Sequence, residues 1–149
     1  MNKNLWSEHE QLEDELETID YRFTMDNDIL NTQRDVLKME EIQRIEDILL
    51  QRKAKIYRIF TNQYGEITLQ IVTQKLENFE NKIKQALHYK RDYIFFEYQG
   101  KQLKIYTDIM YLENEDFQTI LHILYEFDYE LKSIVCGNGF TFIAWLVND

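Results

Sequence analysis

The chain has 149 residues with no proline, four glycines, one cysteine and a formal net charge of −10 at pH 7. The absence of proline and the low number of glycines exclude the collagen-like, proline-rich and glycine/serine-linker classes of protein. The apolar content of 44% is too high for a disordered chain. The length fits one domain, or one domain with an appended helical arm.

The charge is unevenly distributed: residues 1–50 carry a net −9, residues 51–107 a net +6 and residues 108–149 a net −7. The negative total argues against direct nucleic-acid binding, which needs a surplus of Lys and Arg. A lone cysteine, Cys136, and the lack of a signal or membrane-spanning apolar run predict a cytoplasmic protein without a membrane partner. Abundant Ile, Lys, Asn, Tyr and Phe, which have AT-rich codons, suggest a bacterial, phage or mobile-element genome.

Residues 1–54 are predicted to form an acidic helical arm, either a helical hairpin or one long helix. Ser7 and Glu10 have the spacing of a capping box. Residues 26–28 are the expected break, with Asp28 as the N-cap of a second helix over 29–54. Apolar residues follow the box at helical spacing, at Leu12, Leu16, Ile19 and Phe23.

Residues 55–149 are predicted to form a sheet domain, because the apolar period changes from 3.6 to 2 after residue 54. Strands are expected at 56–60, 67–71, 93–98, 102–107, 129–136 and 140–147, with helices from about 75 to 90 and from 114 to 127. The fold class is therefore α+β, with an N-terminal helical hairpin or arm followed by a ββαββαββ antiparallel sheet with helices on one face. The last strand has apolar side chains on both of its faces, which predicts a central position in the sheet. The hairpin–helix unit recurs, without a residue-level repeat to indicate duplication.

Motifs for catalysis, metals and cofactors are not evident. His9 and Glu10 begin a zinc-protease pattern, but Glu13 stands where the second histidine belongs. All four glycines fall at predicted hairpin turns, which excludes the phosphate-binding glycine loops. Cys136 is expected to be an inert core thiol, and His88 and His122 have no ligands at recognised spacings, although His122 could pair with a carboxylate one turn on. We expect no enzyme, no cofactor and no metal site, and a catalytic pocket would be needed to revive an enzymatic interpretation.

The first helix carries a dense run of acidic residues. Seven charges over 12 residue steps span roughly 18 Å, or about one charge per 2.6 Å, against about one per 1.7 Å in duplex DNA. The run predicts a non-enzymatic inhibitor or accessory protein of the anti-restriction or anti-CRISPR type, in which a nucleic-acid mimic occupies a basic groove of a nucleic-acid-handling partner. A solvated helix face would have similar numbers. The acidic residues are Glu8, Glu10, Glu13, Asp14, Glu15, Glu17 and Asp20.

Three alternatives remain open. A secondary basic patch opens a basic interval, interleaved with tyrosines, that continues to residue 104, and it is expected to pair with acidic residues within the chain or in a dimer rather than bind nucleic acid. A partial heptad seam from Leu12 to Leu37 would allow a homodimer, or a scaffold assembled through the N-terminal helices. An immunity-type protein that neutralises a basic toxin would use the same electrostatics. The patch consists of Arg52, Lys53, Lys55 and Arg58.

Overall fold

The structure, a computed structural model, describes residues 4–87 and 93–147. Within these residues it has four helices and eight strands, and every strand pair is antiparallel, as expected for an α+β fold. In chain order the elements are α1 (His9–Glu17), β1 (Thr24–Asp26), β2 (Ile29–Asn31), α2 (Met39–Gln51), β3 (Ala54–Thr61), β4 (Ile67–Thr73), α3 (Gln74–Ala86), β5 (Phe95–Gln99), β6 (Gln102–Tyr106), α4 (Asn114–Glu126), β7 (Tyr129–Cys136) and β8 (Phe140–Leu146).

The strands form two four-stranded sheets, where the sequence predicted one. Their orders are β1-β2-β4-β3 and β5-β6-β8-β7. The ββαββαββ series expected after residue 54 is present as β3 to β8, and β8 occupies the central position that its apolar composition predicts. The end of α3 expected near residue 90 lies outside the described residues.

The N-terminal region is not a continuous helical arm. Residues 24–31 form the β1–β2 hairpin, and α2 begins only at Met39. The hairpin is favoured because Leu30 pairs opposite Leu69 on β4 and becomes fully buried. Asn27 opens the turn with a φ of 57°, a conformation that asparagine tolerates better than most residues. A heptad seam through Leu30 is therefore absent.

Both predicted helix caps were wrong. α1 begins at His9 with Glu8 as its N-cap, and no side chain caps it. The Ser7 hydroxyl instead lies 3.4 Å from Lys75 Nζ. Asp28 lies in the β1–β2 turn, where Gln70 Nε2 donates a hydrogen bond of 2.8 Å to its carboxylate.

The chain divides into two compact units. The first unit is Trp6–Leu76, and the second is Met1–Leu5 together with Glu77–Asp149. The boundary predicted after residue 54 falls between α2 and β3, inside the first unit. One apolar core, with members from α1, α2 and the β1–β4 sheet, joins the elements of this unit. It contains Leu12, Leu16, Phe23, Leu30, Ile45, Leu49, Ala54, Leu69 and Ile71.

The second unit has an aromatic core centred on Phe79 of α3, which is fully buried. Its ring lies 5.0 Å from the ring of Phe127 and 6.0 Å from that of Tyr129, measured between centroids. The ring of Phe96 on β5 lies 6.1 Å away. Aromatic pairs at such distances add to the stabilisation from apolar burial.

The two units repeat one structural plan, which is helix, hairpin, helix, hairpin with the same strand order. Helices α2 and α4 have 13 residues each, β3 and β7 have eight, and β4 and β8 have seven. Left-handed residues stand at equivalent positions between helix and strand, Lys53 (φ 54°) and Asp128 (φ 66°). The strand register shifts at equivalent points, after Ile56 in β3 and after Leu131 in β7.

The repeat extends to individual residues, which the sequence alone did not reveal. The Thr32 hydroxyl donates to the Ile67 carbonyl at 2.7 Å, and Thr107 donates to Phe140 at 2.8 Å in the same place. A fixed sequence offset does not align the two repeats throughout, because the β3–β4 turn, residues 62–66, is two residues longer than the β7–β8 turn, residues 137–139. Five of the 13 helix positions are identical, namely Glu40/Glu115, Gln43/Gln118, Ile45/Ile120, Ile48/Ile123 and Leu49/Leu124.

Candidate functional site

Helix α1 is anchored to the first unit by one face. His9, Leu12 and Leu16 are buried, and their spacing of three and four residues places them on one side of the helix. The His9 ring also meets the Trp6 ring edge-on, with 4.9 Å between centroids. The acidic helix is therefore docked on its own unit.

The opposite face of α1 is acidic and exposed. Glu10, Asp14 and Glu17 recur at spacings of four and three residues, and Glu8 is exposed at the N-cap. These four charges extend over nine residue steps, about 13.5 Å, or about one charge per 3.4 Å. This is about the charge spacing along a single DNA strand and half the density of the duplex.

The other three predicted acidic residues are engaged within the first unit. The Glu13 carboxylate accepts the backbone N–H of Met25 in β1. Glu15 pairs with Arg52 across 37 residues of sequence. Asp20 binds two arginines just beyond the end of α1. These contacts help to hold α1 in place and leave the outward charge to the four exposed residues.

Two arginines form paired contacts beside the end of α1. Arg22 donates from Nε and Nη2 to the Asp20 carboxylate, at 3.1 and 2.8 Å. Arg34 donates to both carboxylate oxygens of Glu41, and its Nη1 lies 3.5 Å from Asp20. Hydrogen bonds from Arg22 lower the pKa of Asp20 from 3.8 to about 2. The four side chains together carry no net charge.

The four residues of the secondary basic patch have different surroundings. Arg52 forms the intramolecular pair that the charge map favours, with Glu15, and also donates to Gln11 at 2.9 Å. Lys53 and Lys55 are exposed at the α2–β3 junction and on β3. Arg58 on β3 donates to the Gln70 side chain at 2.7 Å, and its guanidinium lies 5.6 Å from the Phe60 ring centroid.

Sequence reasoning missed the buried carboxyl of Asp28. This residue is 3% exposed, and burial raises its pKa despite the hydrogen bond from Gln70. Gln70 in turn accepts from Arg58, so one amide bridges a carboxyl and a guanidinium. No local signal indicates this arrangement, because the three residues come from a turn and two strands.

The groups considered for catalysis are dispersed. Cys136 is exposed at the end of β7, which corrects the expectation of a core thiol. His122 is exposed, and Glu126, one turn on from it, pairs with Lys82 at 3.2 Å. His88 lies outside the described residues. Within residues 4–87 and 93–147, no group of three or more His, Cys, Asp or Glu residues is arranged to hold a metal ion.

No helix in the described part of the chain has the length and apolar character needed to cross a membrane. The chain was compared with known proteins in three ways. It matches no protein-family model, no curated protein and no solved structure.

Proposed function

We propose that this chain is a non-enzymatic acidic protein-binding protein, an inhibitor or accessory factor, whose α1 carboxylates occupy a basic groove of a nucleic-acid-handling partner. The observation that carries the proposal is the line of Glu10, Asp14 and Glu17 on the exposed face of a helix whose other face is buried. The composition is typical of an AT-rich bacterial or phage genome, and the partner class that we propose is a restriction or CRISPR effector.

The docking of α1 favours binding because its charges are held in position before the partner arrives. A pre-organised surface loses little conformational entropy on association. Its aligned charges would also accelerate the encounter with a basic groove, in a way that falls with ionic strength. The buried side chains of Leu12 and Leu16 hold α1 on its unit, and the contacts of Glu13 and Glu15 add to this.

Four exposed carboxylates provide limited affinity by themselves. An exposed ion pair contributes about 0.2–1 kcal/mol, and salt screens it. Partner binding therefore requires further contacts next to α1, and the carboxylates mainly determine orientation and association rate.

The test is a triple charge reversal of the exposed face, Glu10→Lys, Asp14→Lys and Glu17→Lys. The matched control reverses three acidic residues on the exposed side of α2, Glu40, Glu46 and Asp47, with the same change in net charge. Circular dichroism verifies folding. Each protein is used for affinity capture from the native host with salt-gradient elution, and retained proteins are identified by mass spectrometry.

We expect wild type and control to retain the same basic partner, to release it as salt rises, and to lose it to competing duplex DNA. The α1 variant should fail to retain it. Equal retention and equal salt dependence for all three proteins would contradict the proposal. If the captured protein is a small basic toxin rather than a nucleic-acid-handling enzyme, the immunity-type alternative replaces the partner class and keeps the same binding face.

A further inference from the structure

The first unit contains a cavity of about 420 Å³ beside the arginine pairs described above. It lies between the segment that follows β2, with Asp35 and Val36, and the β3–β4 turn, with Tyr64 and Glu66. Arg22 and Arg34 form part of its wall. The volume is sufficient for a long side chain and falls within the range of small-ligand pockets.

The corresponding turn of the second unit packs closely on its own repeat. There Gly139 of the β7–β8 turn packs directly on the backbone of Thr107 and Asp108, the counterparts of Thr32 and Gln33. A Cβ atom on Gly139 would lie only 2.3 Å from the Thr107 carbonyl oxygen. The cavity of the first unit is bordered by side chains of the β3–β4 turn, Tyr64 and Glu66.

The β3–β4 turn beside the cavity is two residues longer than its counterpart, the β7–β8 turn. The Asn62 side chain organises this turn: its Oδ1 accepts the N–H groups of Tyr64 at 2.9 Å and Glu66 at 3.0 Å. Its Nδ2 donates to the Glu66 carboxylate at 2.9 Å, and Gly65 takes a φ of 76°. The longer turn is therefore held in a defined conformation beside the cavity.

The charges in the cavity wall favour a cationic occupant. Arg22 and Arg34 are already neutralised by Asp20 and Glu41 through paired hydrogen bonds. The wall also carries the carboxylates of Asp35, which is exposed, and of Glu66, which binds the neutral amide of Asn62. With the arginine charges balanced in this way, an anion would meet no net positive charge, whereas a cation would meet two further carboxylates.

The remaining wall suits the body of an arginine or lysine side chain. The Tyr64 side chain is 76% exposed and offers an aromatic face, against which a guanidinium can stack. Val36 is 58% exposed and offers an apolar contact for the methylene stem of the same side chain. An aromatic ring, an aliphatic side chain and two carboxylates are the groups that a long cationic side chain requires.

We propose that this cavity binds an arginine or lysine side chain of the basic partner, next to the contacts made by α1. The inference rests on the proposed function and supplies an anchoring contact that exposed ion pairs do not provide. Because Asp20 follows α1 and pairs with both arginines of the wall, the cavity lies near the C-terminal end of the acidic helix.

The direct test is an NMR titration of the ¹⁵N-labelled chain with N-acetyl-argininamide, using the neutral isostere N-acetyl-citrullinamide as its control. We expect saturable shifts at the amides of Val36, Tyr64 and Gly65, and at least about tenfold weaker binding of the citrulline compound. Equal affinity for the two compounds, no saturation, or shifts confined to other surfaces would overturn the proposal.

Variants then assign the contacts. Tyr64→Ala and Asp35→Asn should each weaken N-acetyl-argininamide binding about threefold to tenfold. The matched controls, Tyr125→Ala and Asp47→Asn, alter exposed residues on α4 and α2 and should leave the affinity unchanged. The amide spectrum reports folding, and Tyr64→Phe should retain binding because it keeps the ring.

The two proposals fail in different ways. If the α1 charge reversal abolishes partner retention while Tyr64→Ala and Asp35→Asn leave both partner and N-acetyl-argininamide binding unchanged, the cavity proposal is wrong and the function stands. If N-acetyl-argininamide binds at the cavity while the α1 reversal leaves partner retention unchanged, the cavity is a cation site and the proposed function is wrong.

Discussion

Replacing Gly139 with alanine is predicted to destabilise the second unit strongly. The added Cβ would lie 2.3 Å from the Thr107 carbonyl oxygen, 2.4 Å from Asp108 Cα and 2.6 Å from Asp108 C. Carbon atoms in ordinary contact stay about 3.5 Å or more apart, so the two segments would have to separate by about 1 Å. All three contacted atoms belong to the backbone, so no side-chain rotation relieves the clash.

The expected loss can be estimated from the contacts that this separation would disturb. The Thr107 hydroxyl and N–H both bond the Phe140 carbonyl, at 2.8 and 3.1 Å, and the Phe140 N–H bonds the Ile109 carbonyl at 2.9 Å. Overpacking typically costs 1–3 kcal/mol, and weakening these bonds adds to it, so we expect a loss of about 3 kcal/mol. With a urea m-value of about 2 kcal/mol/M, the unfolding midpoint should fall by about 1.5 M.

Urea unfolding followed by tryptophan fluorescence measures this loss, because Trp145 lies on β8 in the second unit. Gly137→Ala in the same turn is the control, since a Cβ there meets nothing within 4 Å. Its midpoint should stay close to that of the wild type, within about 0.5 kcal/mol in stability. If the two variants unfold at the same urea concentration, the close approach of the β7–β8 turn to residues 107–108 is wrong.

Further predictions concern the first unit. Leu16→Ala should reduce the free energy of unfolding by about 2–5 kcal/mol, because Leu16 is fully buried, whereas Leu50→Ala, at a position 75% exposed, should change it by less than about 1 kcal/mol in the same urea titration. The Asp20 carboxyl should titrate by NMR with a pKa of about 2, and Arg22→Met should return this pKa toward 3.8. Because the pKa of Asp20 is lower in the folded than in the unfolded chain, the Asp20–Arg22 contact stabilises the fold fully above about pH 4, and this stabilisation is lost as the pH falls through 2. Asp28→Asn should increase the free energy of unfolding at pH 7 in the same urea titration, because burial raises the pKa of Asp28 and disfavours its charged form. This gain should vanish at pH 3, where the Asp28 carboxyl is mostly protonated in the unfolded chain as well.

The strands and helices after residue 54 could be predicted because their signals are local. The strand expected at 129–136 matches β7, since alternation precedes a turn that contains Gly137 and Gly139. The β1–β2 hairpin could not be predicted, because three-residue strands are too short to show alternation. Asp26 to Asp28 fits a helix cap as well as a turn, and only the pairing of Leu30 with Leu69 decides between them.

The candidate site was predictable as a set of acidic residues but not as a surface. In the structure Leu12 and Leu16 are buried, and Glu10, Asp14 and Glu17 lie on the side of α1 that remains exposed. The partners that engage the remaining acidic residues are distant in sequence: Arg52 follows Glu15 by 37 residues. The cavity could not be foreseen, since its wall combines Arg22, residues 33–36 and the β3–β4 turn, which are distant in sequence.

The paired register shifts in β3 and β7 bear on the behaviour of the protein at high concentration. Each of these strands ends its sheet, and each carries an exposed isoleucine, Ile59 and Ile134. A long apolar strand at a sheet edge invites pairing with another molecule and, in the extreme, fibril growth. The extra residues, Tyr57 and Lys132, increase the local twist and interrupt the run of hydrogen-bonding groups that an incoming strand would need. Both repeats thus carry, on an edge strand, the kind of irregularity that opposes edge-to-edge pairing.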